Sequence, residues 1–446
     1  MTSDADLNLL TDLIGKAKAA GADAADAMMV ESRSLSLAWR LGALERLERS
    51  EGSDIGLRIF IGKRQAAISS SDRSSLALDE LVERAIAMAR TVPEDPFCGL
   101  ADPEQICTRF LDLDICDPTE PSAEQLIAEM RLAEDAARTV PGVTNSEGAE
   151  AGWGRSRVAI AATNGFANAY AISHSSLSVS VLAGDGTGME RDYDFTSAVH
   201  RGDLRNPEEV GRSAGERTVR RLGARKVRTA RLPVVFDPRV SRGLLGHFAG
   251  AINGAGIARG TSFLKDHLGK PVFAKGLCVV DDPHRRRGLR SKPCDGEGVA
   301  NKPMKLIEDG VLTSWLLDLR SARQLGLKST GHAARGTGGP PSPSTTNLYL
   351  EPGPVTAREL VADIPQGFYI TELSGMGVNG VTGDYSRGAA GFWIEGGELA
   401  YPVSEVTVAG NLKEMFLNLL PANDLDFRYG VDAPTIRIDG MTIAGM

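Results

Sequence analysis

The chain has 446 residues, 42% of them hydrophobic and 24% charged, enough for two or three domains with ample core. Fifty basic residues against 58 acidic ones leave a formal charge of −8, which disfavours direct binding of nucleic acid, whose phosphates require a basic patch. No run reaches the roughly 20 apolar residues of a membrane-spanning helix. The start Met1–Asp6 is acidic, unlike a secretory signal, and the five scattered cysteines form no C-x-x-C pair, so a cytoplasmic protein with reduced thiols is expected.

Leu10, Leu13, Ile14 and Ala17 recur at helical spacing, and Gly21 supplies a stop. Strands follow: Leu35, Leu37 and Trp39 alternate with polar residues, as do Ile55, Leu57, Ile59 and Ile61, and Gly62-Lys63 turns that second strand into Ala66–Ile68. Leu78, Leu81, Val82 and Ala85 mark a helix over roughly 75–91, closed by Pro93. Residues 1–92 therefore read as an α+β subdomain and 93–120, with their prolines and aspartates, as an irregular connector.

A capping box, Ser122-x-x-Gln125, opens the next helix, whose inner stripe is Leu126, Met130 and Ala133 and whose end is Pro141-Gly142. The pair Asn164-Gly165 joins β signals at Val158 and Ile160 to an alternation through Leu177, Val179 and Val181, followed by another through Met189, Arg191, Tyr193 and Phe195. Asn206-Pro207-Glu208-Glu209 starts a helix that Arg217, Arg220, Arg221 and Gly223 close, in keeping with the helix dipole. Residues 121–225 form a second α+β subdomain on this reading.

From Pro233 onward glycine and hairpin signals dominate, including Asp309-Gly310 and Gly396-Gly397, so 226–446 is expected to be a largely antiparallel β domain. The fold class is α+β: a two-part N-terminal region followed by that β-rich domain. Between Ser329 and Thr346 the Gly/Pro/Ser-rich chain holds too few apolar residues for a core, and reads as either a mobile loop near a binding cleft or a plain surface excursion. The basic run His284–Lys292 reads as a solvated loop offset by Asp281, Asp282, Asp295 and Glu297.

Chemistry-bearing motifs are sparse. The closest two of the six histidines, His267 and His284, are 17 residues apart, so no helical zinc pair exists. There is no G-x-S-x-G elbow; Ser386, in Gly383-Asp384-Tyr385-Ser386-Arg387-Gly388, reads as part of a turn in which Asp384 and Ser386 bond nearby amides. Gly336–Gly339 and Gly375-Met376-Gly377 lack the context of phosphate cradles. A helix after Asp237-Pro238 carries Gly246, Gly250 and Gly254 on one face, each costing about 1 kcal/mol against alanine. Such a cost implies either that another backbone packs closely there or that the helix breaks early; His247 reads as a structural histidine.

The run Glu372–Glu395, with Tyr401-Pro402-Val403-Ser404-Glu405 and Ala409-Gly410-Asn411-Leu412, resembles the TldE (PmbA) branch of the TldD/TldE family, as do Asn347–Gly353 and Asp295-Gly296-Glu297-Gly298. The resemblance implies a cytoplasmic protease of two related subunits that acts on unfolded or small peptides and matures peptide antibiotics, with members also called modulators of DNA gyrase. In the TldD branch an H-E-x-x-x-H helix and a distant cysteine hold zinc. Here Gly246 and Ala251 stand at the two histidine positions, His247 stands for the glutamate, and no cysteine follows Cys294.

The resemblance thus implies a subunit without catalytic residues or a cofactor of its own, zinc residing in a TldD-like partner. Candidate contacts to peptide substrate or partner are Gly250, Gly254, Asn347, Glu372, Asp384, Tyr385, Ser386, Arg387 and Glu395. A homodimer is expected when the partner is absent. The alternatives are a non-proteolytic protein-binding regulator, for example of gyrase, and a self-sufficient hydrolase using Ser386, Asp384 and a further base.

Overall fold

The computed structural model describes residues 2–445. The N-terminal region comprises α1 (Thr2–Ala19), β1 (Ala24–Arg40), β2 (Ala43–Ile61), β3 (Arg64–Ser70), α2 (Ser75–Thr91), α3 (Ala123–Arg138), β4 (Val143–Ala162), β5 (Ala167–Ala183), β6 (Glu190–Ala198) and α4 (Pro207–Arg220). Its strands form one sheet in the order β3-β2-β1-β4-β5-β6, with every pairing antiparallel. The two stretches read as separate subdomains therefore share a sheet, because β1, β2, β4 and β5 are long enough to run through both.

Each half of that sheet has its own apolar patch on the same face. Leu10, Leu13, Leu78 and Leu81 of α1 and α2 pack on Ala27, Met29, Ile55 and Leu57, whereas Leu126, Met130, Val210 and Ala214 of α3 and α4 pack on Leu35, Leu37, Leu177 and Val179. Odd-numbered residues of β1 supply both patches, as the period of two requires. The α3–α4 contact is close enough that a Cβ on Gly211 would lie 2.0 Å from the Ala133 carbonyl oxygen. Residues 93–120 contain one short 3-10 turn and otherwise irregular backbone.

β6 departs from its sequence pattern. Its buried positions are Asp192, Asp194, Thr196 and Ala198, while Arg191 and Tyr193 face outward. The buried carboxylates are held by arginines: Asp194 by Arg205 at 2.9 Å and Asp192 by Arg239 at the same distance.

The C-terminal domain comprises β7 (Ala230–Phe236), α5 (Pro238–Ala251), α6 (Gly254–Ala258), β8 (Val279–Asp282), β9 (Met304–Glu308), β10 (Val311–Leu312), α7 (Leu319–Gln324), β11 (Ala333–Ala334), β12 (Ser342–Pro343), β13 (Asn347–Leu350), α8 (Ala357–Ala362), β14 (Gln366–Ser374), β15 (Asp384–Glu395), β16 (Glu398–Asn411), α9 (Leu412–Leu417), β17 (Leu419–Pro421), β18 (Val431–Asp432) and β19 (Ile436–Ala444). One sheet runs β16-β15-β14-β7-β19-β17, and a further β16–β19 pairing curls it towards a barrel. Pairing is mostly antiparallel; β7–β14 and β13–β18 are parallel. The hairpin turns Asp309-Gly310 and Gly396-Gly397 have positive φ at both residues, which matches the right-handed strand twist.

Candidate functional site

Asp237 caps α5 by accepting a hydrogen bond from the Arg239 amide at 3.0 Å, with Pro238 at the first helical position. The helix buries Ser241, Leu244, Leu245, Phe248 and Ala251, and Phe248 meets the stacked pair Phe273–Phe416 edge-on. Gly243, Gly246 and Gly250 lie on the opposite, exposed face, and a Cβ at any of them would have no neighbour within 4 Å.

Close backbone packing is thus not the reason for Gly246 and Gly250; it applies only to Gly254, where a Cβ would stand 2.7 Å from the Leu316 carbonyl oxygen. Gly254 is not on α5 at all. The helix ends at Ala251, and Asn253 caps the short α6 that begins at Gly254.

His247 is half-buried with its ring edge-on to Tyr385 at 6.0 Å. Burial, reinforced by the Arg387 charge, holds its imidazole below the usual histidine range. Burial also pushes the Tyr385 phenol up to about 12, so both groups are neutral at pH 7. The donor set does not fit zinc: Gly246 has no side chain, Ala251 is buried among apolar residues, and among the described residues no three His, Cys, Asp or Glu side chains gather closely enough to hold a metal ion.

The open face of α5 borders a cleft of about 530 Å³ between the N-terminal sheet and the C-terminal domain. Five arginines line it: Arg191, Arg221, Arg239, Arg242 and Arg387. Arg221 reaches Glu190 at 3.2 Å and Glu372 at 2.5 Å; burial works against its charge, but Glu372, Asp192 and Glu190 hold it above its ordinary value. Arg239 stacks over Tyr193 at 4.7 Å and Arg242 over Tyr429 at 4.2 Å. The Arg387 Nε donates to the Ser374 carbonyl at 3.0 Å. Guanidinium groups beside an uncovered helix face can receive carboxylates or the carbonyls of an extended chain.

Of the residues singled out in the sequence, Gly246, Glu372 and Arg387 meet in this cleft, with His247 against the buried Tyr385 nearby. Others lie in different surroundings. Asn347 is buried as a clamp, its Oδ1 accepting from the Arg290 amide and its Nδ2 donating to the Asp282 carbonyl and Ser291 Oγ. Glu395 sits at the exposed end of the β15–β16 hairpin. Asp384 is engaged by Thr382 Oγ1 at 2.6 Å and Asn411 Nδ2 at 3.0 Å, while Ser386 is exposed and its amide donates to the Gly377 carbonyl.

Among the described residues, one hydroxyl–imidazole–carboxylate chain forms, Thr330–His332–Asp281. His332 and Asp281 are buried, and the Thr330 hydroxyl is already tied to the Leu317 backbone. Sequence reasoning missed Asp192, Arg239 and Arg242. The polar alternation Asp192-x-Asp194-x-Thr196 was the available signal.

The Gly/Pro/Ser-rich stretch packs against the N-terminal sheet as a strap. It holds the β11–β12 pair, its Arg335 reaches Asp26 at 2.6 Å, and its Thr337 backbone lies on Gly56, where a Cβ would be 2.2 Å from the Thr337 oxygen. Asp26 also binds Arg58, which reaches Glu297 at 3.3 Å; the four side chains are 2–4% exposed. Burial opposes ionisation of Asp26, yet Arg335 and Arg58 hold its carboxyl below the ordinary range. Asp295 and Glu297 shift upward, mainly through burial. The basic loop is offset differently from the sequence expectation: Arg286 and Arg287 pair with Asp114, and Arg287 with Asp203, whereas Asp281 and Asp295 are buried in hydrogen-bond networks.

Three successive models of one family match the chain: PmbA/TldA metallopeptidase domain 1 over residues 25–89, the central domain over 116–222 and the C-terminal domain over 229–445. The chain is 38% identical over 425 residues to Metalloprotease PmbA of Escherichia coli O157:H7, covering 95% of this chain and 92% of that one. It is 35% identical to the Metalloprotease PmbA homolog of Haemophilus influenzae, covering 96% and 93%. A crystal structure from Bacteroides thetaiotaomicron, described as a modulator of DNA gyrase, superimposes with a TM-score of 0.91 at 26% identity over the whole of both chains. TldE from Thermococcus kodakarensis shares the fold, with a TM-score of 0.86 at 19% identity over 98% of this chain and 100% of that one.

Proposed function

Because the chain belongs to the PmbA/TldD metallopeptidase family, we propose that it is the TldE-like, zinc-free subunit of a hetero-oligomeric peptidase whose metal is held by a TldD-like partner. The observation that carries this reading is the chemistry of α5. At the two positions where zinc-binding relatives would place histidines stand Gly246 and Ala251, and His247 turns its ring to Tyr385 rather than to another donor.

The open glycine face and the arginines beside it would then serve the substrate, receiving an unfolded or small peptide where the partner's metal acts on it. Glu372 and Arg387 are the contacts this reading retains from the sequence. No step of hydrolysis is assigned to this chain, no cofactor is assigned to it, and the cytoplasm is the proposed compartment, in keeping with five free cysteines.

Mixing the purified chain with a TldD-like subunit is expected to restore peptide hydrolysis that neither shows alone, with zinc found only in the partner. A fully active isolated partner, indifferent to this chain, would overturn the proposal. The regulator alternative draws on the description of the Bacteroides relative; an unchanged biological effect after removal of the partner's zinc ligands would favour it. Chelator-resistant cleavage by this chain alone, lost in Ser386→Ala, would favour an independent hydrolase.

A further inference from the structure

Two polar rows separate the apolar patches of the N-terminal sheet on the face that carries the helices. The register places Ser53, Glu31, Arg157 and Ala171 side by side in one row and Glu51, Arg33, Arg155 and Ser173 in the next. On one side follow Ile55, Met29 and Ala159 of the α1–α2 core, and on the other Leu35 and Trp153 of the α3–α4 core. A cleft of about 740 Å³ lies over these rows, bordered by Asp6 of α1 and by Arg73 just before α2.

Charges in this cleft do not balance. Four arginines line it, Arg33, Arg73, Arg155 and Arg157, against three carboxylates, Asp6, Glu31 and Glu51. Arg157 pairs with Asp6, and Arg73 pairs with Glu31 at 2.6 Å. Arg33 has a long contact of 3.8 Å to Glu51, which Arg49 shares at 3.6 Å. Among the described residues Arg155 makes no ion pair, its Nε is shielded from solvent without a hydrogen-bond partner, and it stands directly opposite Arg33 across the β1–β4 pair. Ser53 Oγ is shielded and unpartnered as well. Like charges set opposite each other on paired strands repel, and buried polar groups without partners are costly.

We propose that this cleft binds an organic carboxylate with an apolar body, the carboxylate seated between Arg33 and Arg155. Such a group removes the repulsion between the two guanidinium groups and gives Arg155 the partner it lacks, accepting parallel hydrogen bonds from its planar fork. One positive charge in excess matches one carboxylate rather than a doubly charged phosphate. The apolar body has its place beside the charge, where Met29, Ala159 and Ala169 line the same cleft. This site lies in the middle of the N-terminal sheet and shares no residue with the arginine cleft beside α5.

Two probes test the site on the full chain at constant ionic strength: benzoate for a free acid and N-acetylleucine for the end of a peptide. No metal or second subunit is needed, so the outcome is independent of the peptidase reading. Methyl-labelled methionine gives the readout, with Met29 assigned through Met29→Leu and the solvent-exposed Met376 as reference. At least one carboxylate should shift the Met29 resonance saturably and leave Met376 unmoved, while neutral benzamide and N-acetylleucinamide shift neither. The tighter of the two probes identifies the source. Arg155→Gln should weaken binding about tenfold, and Arg33→Gln by a similar factor. Because Arg155→Gln removes an unpaired charge, the unfolding midpoint of the free chain should stay unchanged or rise. No saturable shift at Met29, equal binding of the neutral amides, or tighter binding of inorganic phosphate would overturn the proposal. So would binding indifferent to Arg155→Gln, or a free chain that this substitution destabilises.

Discussion

Arginines bridge the N-terminal sheet to the C-terminal domain in two places, with opposite results. Around Arg58 the charges are dry: Asp26, Glu297 and Arg335 surround it, and the strap covers them. Around Arg221 and Arg239 the carboxylates Asp192 and Glu372 are likewise paired, but the arginines outnumber them, and the glycine face of α5 leaves a cleft of about 530 Å³. One contact is a fastening; the other remains open to a ligand. The difference comes from what lies over the charges, since a strap excludes water from the first and side-chain-free helix turns admit it to the second.

The largest expected effect breaks the fastening. Arg58→Ala leaves buried Glu297 without its arginine and Asp26 with Arg335 alone, and should cost about 3–5 kcal/mol in denaturant unfolding, whereas Arg242→Ala at the cleft should cost below about 1 kcal/mol. Comparable losses would erase the contrast.

The second effect is a pH dependence. Burial and the neighbouring Glu297 push the Asp295 carboxyl up to about 7, and burial likewise raises Glu297. The folded chain therefore keeps protons that the unfolded chain releases. This contribution is fully present below the ordinary carboxyl value of 3.8 and is lost as pH rises through about 7. Unfolding midpoints should fall over that range, and Asp295→Asn should flatten the fall; a wild-type midpoint that climbs with pH would contradict the assignment.

On the open face of α5, Gly246→Ala should stabilise the chain by about 1 kcal/mol, since it removes an interior helix glycine without a clash, and Gly250→Ala, in the last turn of the helix, by less. If the open face serves a peptide, partner-dependent hydrolysis should drop in the same variants; stabilisation with unchanged hydrolysis would remove the reason for the glycines. The smallest effect concerns His247, whose NMR titration should lie below the usual histidine range through burial and Arg387, and should move up modestly in Arg387→Gln. A midpoint at or above that range would place His247 in a wetter setting than the cleft provides.

Much of the fold was legible locally. The stripe Leu10, Leu13, Ile14 and Ala17 is fully or nearly fully buried on α1, the Ser122–Gln125 capping box closes as written, and the glycine hairpin turns fall where their sequences place them. These features follow from backbone preferences and a period of two or 3.6, which act over a few residues. β6 was harder to read because its aromatic residues face outward while its carboxylates are buried against distant arginines.

Sequence by itself thus determined the N-terminal helices, most of the long N-terminal strands, the glycine hairpin turns and the absence of zinc-ligand side chains at Gly246 and Ala251 on α5. Tertiary structure decided that the two N-terminal halves share one sheet, that Gly246 and Gly250 face open space, and that the polar strap closes over Arg58. Those outcomes depend on residues such as Asp26 and Arg335, 309 positions apart. The reason is physical: an isolated glycine or arginine has the same sequence signature whether it is covered or bare, and only the distant segment that reaches it, or fails to, sets its dielectric surroundings and its role.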